Sequence, residues 1–284
     1  YTNVMTTEET ILLTKAMVEH GDVLKLNKYP VIDKHSIGGI PGNRTTLVIV
    51  PIIAAAGYYI PKTSSRSITS PAGTADTMEV LANVTFPIKR MKQIVLKAKG
   101  CIVWGGALNL APADDKIIAV ERPLEIDAES QLLASIMAKK HSVSSTHILI
   151  DVPVNKDSKV KNMVEALKLK NEFEKIGKKL KKHVKVLITD GSQPIGNGIG
   201  PALEARDVLW VLKRDPRRPI DLEKKCLMMC ATIFGMVGVK NGYRKALEIL
   251  DSGKAYAKMV EIIKAQNGKE VAAEDIKIGK YSFD

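Results

Sequence analysis

Three groups of polar residues have the types and spacing that handling an anion would need. The first is Asp33-Lys34-His35-Ser36-Ile37-Gly38-Gly39, leading into Asn43-Arg44-Thr45-Thr46 at the start of an apolar stretch. Glycines let backbone N–H groups come close to an oxyanion, and a helix N-terminus adds favourable partial charge. Lys34 supplies a point charge, while Ser36 and Thr45 or Thr46 supply hydroxyl donors. The plain alternative is a strand-to-helix turn with two glycines. A Lys-His-Ser run is not by itself a hydrolytic triad, because no acid orients the histidine. The second group is Lys62-Thr63-Ser64-Ser65-Arg66-Ser67-Ile68-Thr69-Ser70-Pro71-Ala72-Gly73-Thr74. Its hydroxyls, with one arginine and one lysine, form a dense donor set for phosphate oxygens; a flexible serine-rich loop is the competing reading. The third group is Asp127 with Ser135 and Lys139. Ser135 and Lys139 lie four apart and share a helix face, and Asp127 reads either as an N-cap or as an acid.

The elements that would carry these groups alternate. A capping box at Thr6-Thr7-Glu8-Glu9 opens a helix that stops at Gly21. A short strand at 31–33 ends in the Lys34–Gly39 loop, and a buried helix covers 45–56. A strand at 58–61 precedes the hydroxyl loop, which is followed by helices at 75–81 and 87–99. After a strand at 101–104 and a loop at 105–114 come a helix at 127–140, a strand at 147–154 and a helix at 160–180. A strand at 184–189 and helices at 201–213, 222–236, 244–250 and 255–265 complete the pattern. Strands alternating with helices predict an α/β fold, a parallel sheet flanked by helices. Such sheets bind ligands beyond the carboxyl ends of their strands, so the loops after Asp33, Pro61, Trp104 and Val154 should open on one edge. The string Gly196-Asn197-Gly198-Ile199-Gly200 departs from the dinucleotide fingerprint GxGxxG.

Composition narrows the classes. The 284 residues are 45% hydrophobic and 26% charged, with a net charge of +12. No run approaches the roughly 18 apolar residues of a membrane helix, so a cytoplasmic location and no membrane partner are expected. The excess charge admits nucleic acid, an acidic surface or an anionic small molecule. Aromatic residues make up only 5% and do not alternate with the basic runs at 178–182 and 214–218, so nucleic acid is disfavoured and a solvated face preferred. Cys101, Cys226 and Cys230 contain no CxxC pair, and Cys226 and Cys230 read as buried packing. No metal site is expected.

The motif Asp33-Lys34-His35-Ser36-x-Gly38-Gly39 resembles the signature of the thymidine phosphorylase family, and more loosely that of anthranilate phosphoribosyltransferase-like folds. Leu110-Ala111-Pro112-Ala113-Asp114, Ala134-Ser135-Ile136 with Lys139-Lys140, and Gln193-Pro194 extend the likeness over nearly the whole chain. The segments from Thr63 to Thr74 and Trp104-Gly105-Gly106-Ala107-Leu108-Asn109 resemble the archaeal AMP phosphorylases within that family. Pyrimidine phosphorylases carry an arginine near the position of Val120; here Arg122 stands two places on, which points to a purine nucleotide. The family also has a preceding helical region and a following domain, so the chain is expected to be truncated at both ends.

The resemblance implies a small discontinuous helical lobe, residues 1–28 and 123–144, beside an α/β phosphate-binding domain, residues 29–122 and 145–284. The implied reaction is phosphorolysis of a nucleoside 5′-monophosphate, with inorganic phosphate as co-substrate and no cofactor. Lys34, Ser36, Ser64 and Thr74, with the backbone of Gly38 and Gly39, are expected to hold the attacking phosphate. Ser65, Arg66, Ser67, Ile68, Thr69 and Ser70 are expected to take the 5′-phosphate. Asp127 would protonate the leaving base, assisted by Ser135 and Lys139, and Lys159 would close over the substrate. A thymidine or pyrimidine nucleoside phosphorylase is the alternative in the same chemistry, and a basic nucleic-acid-binding protein the alternative from another class. A homo-oligomer is expected of the full-length protein.

Overall fold

The structure, a computed structural model, describes residues 5–67, 71–121, 124 and 128–278. Five strands form its frame: β1 (Ile32–Ser36), β2 (Ile60–Ser64), β3 (Gly100–Trp104), β4 (His147–Val154) and β5 (His183–Asp190). Every pairing is parallel, in a three-stranded sheet β1-β4-β5 and a two-stranded sheet β2-β3. A parallel bridge from Val31 to Tyr59, with Ile32 N–H donating to the Tyr59 carbonyl at 2.8 Å, joins them in the order β3-β2-β1-β4-β5. The chain leaves β1 toward β2 on one side and returns as β4 on the other. β1 is therefore the switch point, and the crevice beyond its carboxyl end is where such a sheet takes a ligand.

Parallel strands need crossover helices, and six of the eleven α-helices among the described residues lie between strands, with one before β1 and four after β5. The eleven are α1 (Thr7–Glu19), α2 (Thr45–Ala55), α3 (Thr74–Glu79), α4 (Ile88–Ala98), α5 (Pro112–Glu121), α6 (Glu129–Ser142), α7 (Met163–Lys179), α8 (Pro201–Lys213), α9 (Ile220–Met236), α10 (Gly242–Asp251) and α11 (Lys254–Ala265). α2 is apolar all round and buried from Thr45 through Ala54 between the sheet and the α9–α11 layer, as a helix without a polar face must be. The larger core gathers α2, α4, α8, α9, α10 and α11 on β2 and β3, and includes Cys101, Cys226 and Cys230, all buried as packing residues. A second core joins Ile148 and Ile150 of β4 and Phe173 of α7 to Ile11 of α1 and Leu133 and Ile136 of α6. The Thr6–Glu9 capping box is formed, with Glu9 N–H donating to Thr6 Oγ1 at 3.2 Å and Thr6 N–H to Glu9 Oε2 at 2.7 Å.

Four expectations are corrected. β1 does not end at Asp33: Lys34, His35 and Ser36 continue it, because Lys34 pairs with Leu149 and Ser36 with Asp151 across the β4 ladder. β2 likewise runs on through Lys62, Thr63 and Ser64, paired with Ile102, Val103 and Trp104. The hydrogen bonds of Lys34, Ser36 and Lys62 let these polar side chains occupy strand positions that their residue types disfavour. The loop at 105–114 contains the start of α5, opened by Pro112, a residue suited to a first helical position. The helix expected from 127 begins at Glu129, with Ala128 as its N-cap.

Candidate active site

Alternation along β1 sends Lys34 and Ser36 to one face and Asp33 and His35 to the other. On the first face lies the Lys34 ammonium, 1% exposed, donating to Ser36 Oγ and to Thr45 Oγ1 at 2.6 Å each. Among the described residues no carboxylate is paired with it. Ser36 Oγ in turn donates to Asp151 Oδ2 at 2.5 Å, and Thr189 Oγ1 donates to Asp151 Oδ1 at 2.7 Å. Lys225, from α9, places its Nζ 3.5 Å from Asp151 Oδ2. Burial pulls the Lys34 ammonium down to about 8; Asp151 opposes that fall, and Lys225 adds to it. Lys34 is thus a buried cation held by two neutral hydroxyls at the switch point of the sheet. An anion that reached it would meet charge and oriented donors together.

The second face is also cationic. Lys140 of α6 pairs with Asp33 at 2.9 Å with both side chains buried, and Ser145 Oγ donates to Asp33 Oδ2 at 3.2 Å. Lys62, 5% exposed, donates to the carbonyl of Thr63 at 2.7 Å, and its ammonium is pushed well below its ordinary value by burial and by Lys140. His35 is held well below the ordinary imidazole range by burial and by Lys140, Lys62, Lys34 and Lys139. Its imidazole is therefore neutral at pH 7. From α6, Ser135 Oγ and Lys139 Nζ both reach Asp114 Oδ2 of α5 at 2.8 Å, and Gln131 Nε2 reaches Asp114 Oδ1 at 3.2 Å.

Two glycines bring the loops together. Gly39 has φ +106°, and a Cβ there would stand 3.3 Å from the backbone nitrogen of Lys159, so the loop after β4 lies against the turn after β1. A Cβ on Gly73 would come within 2.3 Å of the Arg66 carbonyl carbon, which only a glycine permits. Gly73 also precedes α3, where Thr74 Oγ1 accepts from Arg44 Nη1 at 3.3 Å. Arg44 is itself bound to Glu204 of α8, both buried, and donates to the Ala72 carbonyl at 2.5 Å. Ser64 Oγ is shielded from solvent and has no hydrogen-bond partner among the described residues.

The expected residues are distributed unevenly. Lys34, Ser36, Gly39, Ser64, Thr74 and Lys159 stand at the carboxyl ends of the strands or in the loops that follow; Gly38 is exposed there. Ser135 and Lys139 meet on Asp114, a residue whose role the motif Leu110–Asp114 could have signalled. Arg66 spends its guanidinium on Asp76 at 2.9 Å and on Glu79 at 2.6 and 2.8 Å, and lies over the Trp104 ring. Ser65 accepts from Ala75 N–H at 3.2 Å through its carbonyl, and Ser67 N–H donates to Asp76 Oδ2 at 2.7 Å. Ile68, Thr69, Ser70, Arg122 and Asp127 lie outside the described residues. Sequence reasoning counted Lys62 only among the donors of the hydroxyl run and gave no role to Lys140, Asp151 or Lys225. Lys140 adjoins an expected residue, and Lys62 opens the hydroxyl run; Asp151 and Lys225 carry no local signal.

Other sequence features are absorbed by the chain itself. The glycine string gives its N–H groups to carboxylates: Gly196 to Asp221 at 2.9 Å, Asn197 and Gly198 to Asp207 at 2.6 and 3.0 Å, and Gly200 to Glu204 at 3.1 Å. In the basic run at 214–218, Arg214 and Arg218 both bind Glu223 at 2.5 Å, and Arg217 binds Asp215 at 2.7 Å. Among the described residues no three His, Cys, Asp or Glu side chains converge as a metal-ligand set, and no helix is long and apolar enough to cross a membrane.

Residues 28–256 match the model of the glycosyl transferase family, a/b domain. The chain belongs to that family. It is 50% identical over 98% of its length to a protein of Albidiferax ferrireducens named "Putative thymidine phosphorylase", and 49% identical over 97% of its length to AMP phosphorylase 1 of Archaeoglobus fulgidus. It spans 54% and 55% of those two relatives, about half of each. In fold it is similar to anthranilate phosphoribosyltransferase of Thermus thermophilus, with a TM-score of 0.75 at 18% identity, covering 92% of this chain and 85% of that one. The same enzyme from Saccharomyces cerevisiae, in complex with PRPP and Mg, matches with a TM-score of 0.70. The expected α/β class, a parallel sheet flanked by helices, is the observed one.

Proposed function

We propose that the protein cleaves a nucleoside 5′-monophosphate with inorganic phosphate, releasing the free base and ribose 1,5-bisphosphate. The observation that carries this reading is Lys34: a buried ammonium between two hydroxyls, with no carboxylate paired to it among the described residues. Phosphorolysis requires that the attacking phosphate be held, the cationic sugar transition state be stabilised and the leaving base be protonated. Lys34, Ser36, Ser64 and Thr74, with the amides of Gly38 and Gly39, hold the phosphate. Residues 65–70, including Arg66, take the 5′-phosphate. Asp127 is the acid to the departing base, Ser135 and Lys139 contact the base from their shared site on Asp114, and Lys159 closes the loop after β4 over the turn at Gly39. Closure matters because water would otherwise replace phosphate as the nucleophile.

A specific observation favours a second reading, a thymidine or other nucleoside as substrate. Arg66, the one arginine of the hydroxyl loop, is already bound to Asp76 and Glu79, which lowers the loop's attraction for a 5′-phosphate. One experiment tests both: free base released from AMP, adenosine and thymidine, with and without phosphate. We expect release that depends on phosphate or arsenate and is much faster from AMP than from adenosine. In the same assay, Asp127→Asn should cut turnover about 10²–10⁴-fold, the range for a lost general acid. Equal release in phosphate-free buffer would identify a hydrolase and refute phosphorolysis. Equal rates on AMP and adenosine, or preference for thymidine, would move the substrate to the second reading.

A further inference from the structure

Lys225, like Lys62 and Lys140, is a buried cation that the phosphorolytic reading leaves without a task. Its side chain is 9% exposed, and among the described residues its Nζ makes no hydrogen bond and its only ion pair is the 3.5 Å approach to Asp151 Oδ2. Asp151 is fully buried, and both of its oxygens already accept hydroxyl donors, Ser36 on one and Thr189 on the other. A buried carboxylate needs a counter-charge, and two candidates stand near it: Lys225 directly, and Lys34 through the Ser36 hydroxyl. Two ammonium groups thus share one carboxylate, which leaves one positive charge over on this face of β1.

We propose that Lys225 is a positioning residue for the phosphate site: by serving as the counter-ion of Asp151 it leaves the Lys34 ammonium free to bind the attacking phosphate. This rests on the phosphorolytic reading and adds to it a residue from α9, a helix that supplies none of the motif residues. The groups facing Lys34 are Asp151 from β4, Lys225 and Cys226 from α9, and Arg44 ahead of α2. Asp151 favours its charged form, and Lys225 and Arg44 oppose it. Removing Lys225 should therefore act in two opposite directions. Lys34 becomes the sole counter-ion of Asp151 and holds its proton to higher pH, yet it binds phosphate less well because the carboxylate now competes.

The test measures inorganic phosphate binding by calorimetry, and the KM values for phosphate and for nucleotide, in the parent, Lys225→Met and Lys225→Arg. In the Met variant the dissociation constant and KM for phosphate should rise at least about tenfold, the size of one charge-assisted contact, with the nucleotide KM held within about twofold. The alkaline limb of kcat/KM for phosphate should move upward from about 8, where Lys34 loses its proton in the parent. Lys225→Arg, which keeps the charge, should bring phosphate binding back toward the parent. A Met variant that binds phosphate as the parent does, loses both substrates alike, or shows an unmoved or lowered alkaline limb would overturn the assignment. So would an Arg variant as impaired as the Met variant. A parent that binds no phosphate would overturn the phosphorolytic reading itself, and this assignment with it.

Discussion

Two segments of this chain carry residue types suited to a phosphate, and the structure treats them in opposite ways. The carboxyl end of β1 keeps its cation uncommitted: among the described residues Lys34 has only the hydroxyls of Ser36 and Thr45 as hydrogen-bond partners. The string from Gly196 to Gly200 has spent its amides, on Asp221, Asp207 and Glu204. A glycine-rich turn followed by a helix is thus no guide to an anion site until one knows which groups already have partners. Where a carboxylate of the chain fills the cradle, the segment holds the fold together. Where no carboxylate does, desolvation of the cation is only partly offset, here by Asp151 across the Ser36 hydroxyl, until an anion arrives. That is costly for folding and suited to binding.

The sharpest way to break the comparison is to remove the uncommitted cation. Lys34→Met should reduce phosphate-dependent turnover by about 10²–10³-fold, as for the loss of one preorganised donor to a transition state. It should leave the melting temperature equal to or above the parent's, because a desolvated ammonium is replaced by an apolar side chain of similar length. A variant that unfolds would show instead that the lysine serves the fold. The reverse outcome is expected at the glycine string. Asp207→Asn keeps the shape but loses the charged acceptor of two amides, and should lower stability by about 1–3 kcal/mol in denaturant unfolding. Phosphate affinity should change far less than stability, although the string packs against the turn at Gly42, because among the described residues the hydrogen bonds of Asp207 go to Asn197 and Gly198 and not to the groups around Lys34. A large loss of phosphate binding with intact stability would mean that the string belongs to the ligand after all.

The same contrast explains what could be read from the sequence. Element order and class were legible because apolar runs and their breakers mark them: β4 falls at His147–Val154 and α8 at Pro201–Lys213, as the pattern predicts. Boundaries at the site were not. Lys34, His35 and Ser36 look like a loop by residue type, and only their pairing with β4 and their buried partners make them a strand. The site residues visible in advance are those clustered along the chain. Asp151 and Lys225 lie 117 and 191 positions from Lys34 by their numbering. Nothing local announces that they will share one buried charge balance. Arg66 teaches the converse, since its loop made it look available while Asp76 and Glu79, on the next helix, already hold it.

The central claim is that Lys34, uncommitted and charged, receives inorganic phosphate, and its pH dependence gives the most direct test. Burial lowers the Lys34 ammonium to about 8, so it is mostly charged at pH 7 and mostly neutral at pH 9. A group with a lowered cationic pKa loses its charge as pH rises through that value, so phosphate affinity must fall over this window. Titration of the protein with inorganic phosphate at pH 7 and pH 9, with ionic strength held constant, should show binding at the lower pH. At the higher pH it should be weakened by about tenfold, one decade for one pH unit above the ionisation. Phosphate binding of equal strength at both values, or none at pH 7, would contradict the account.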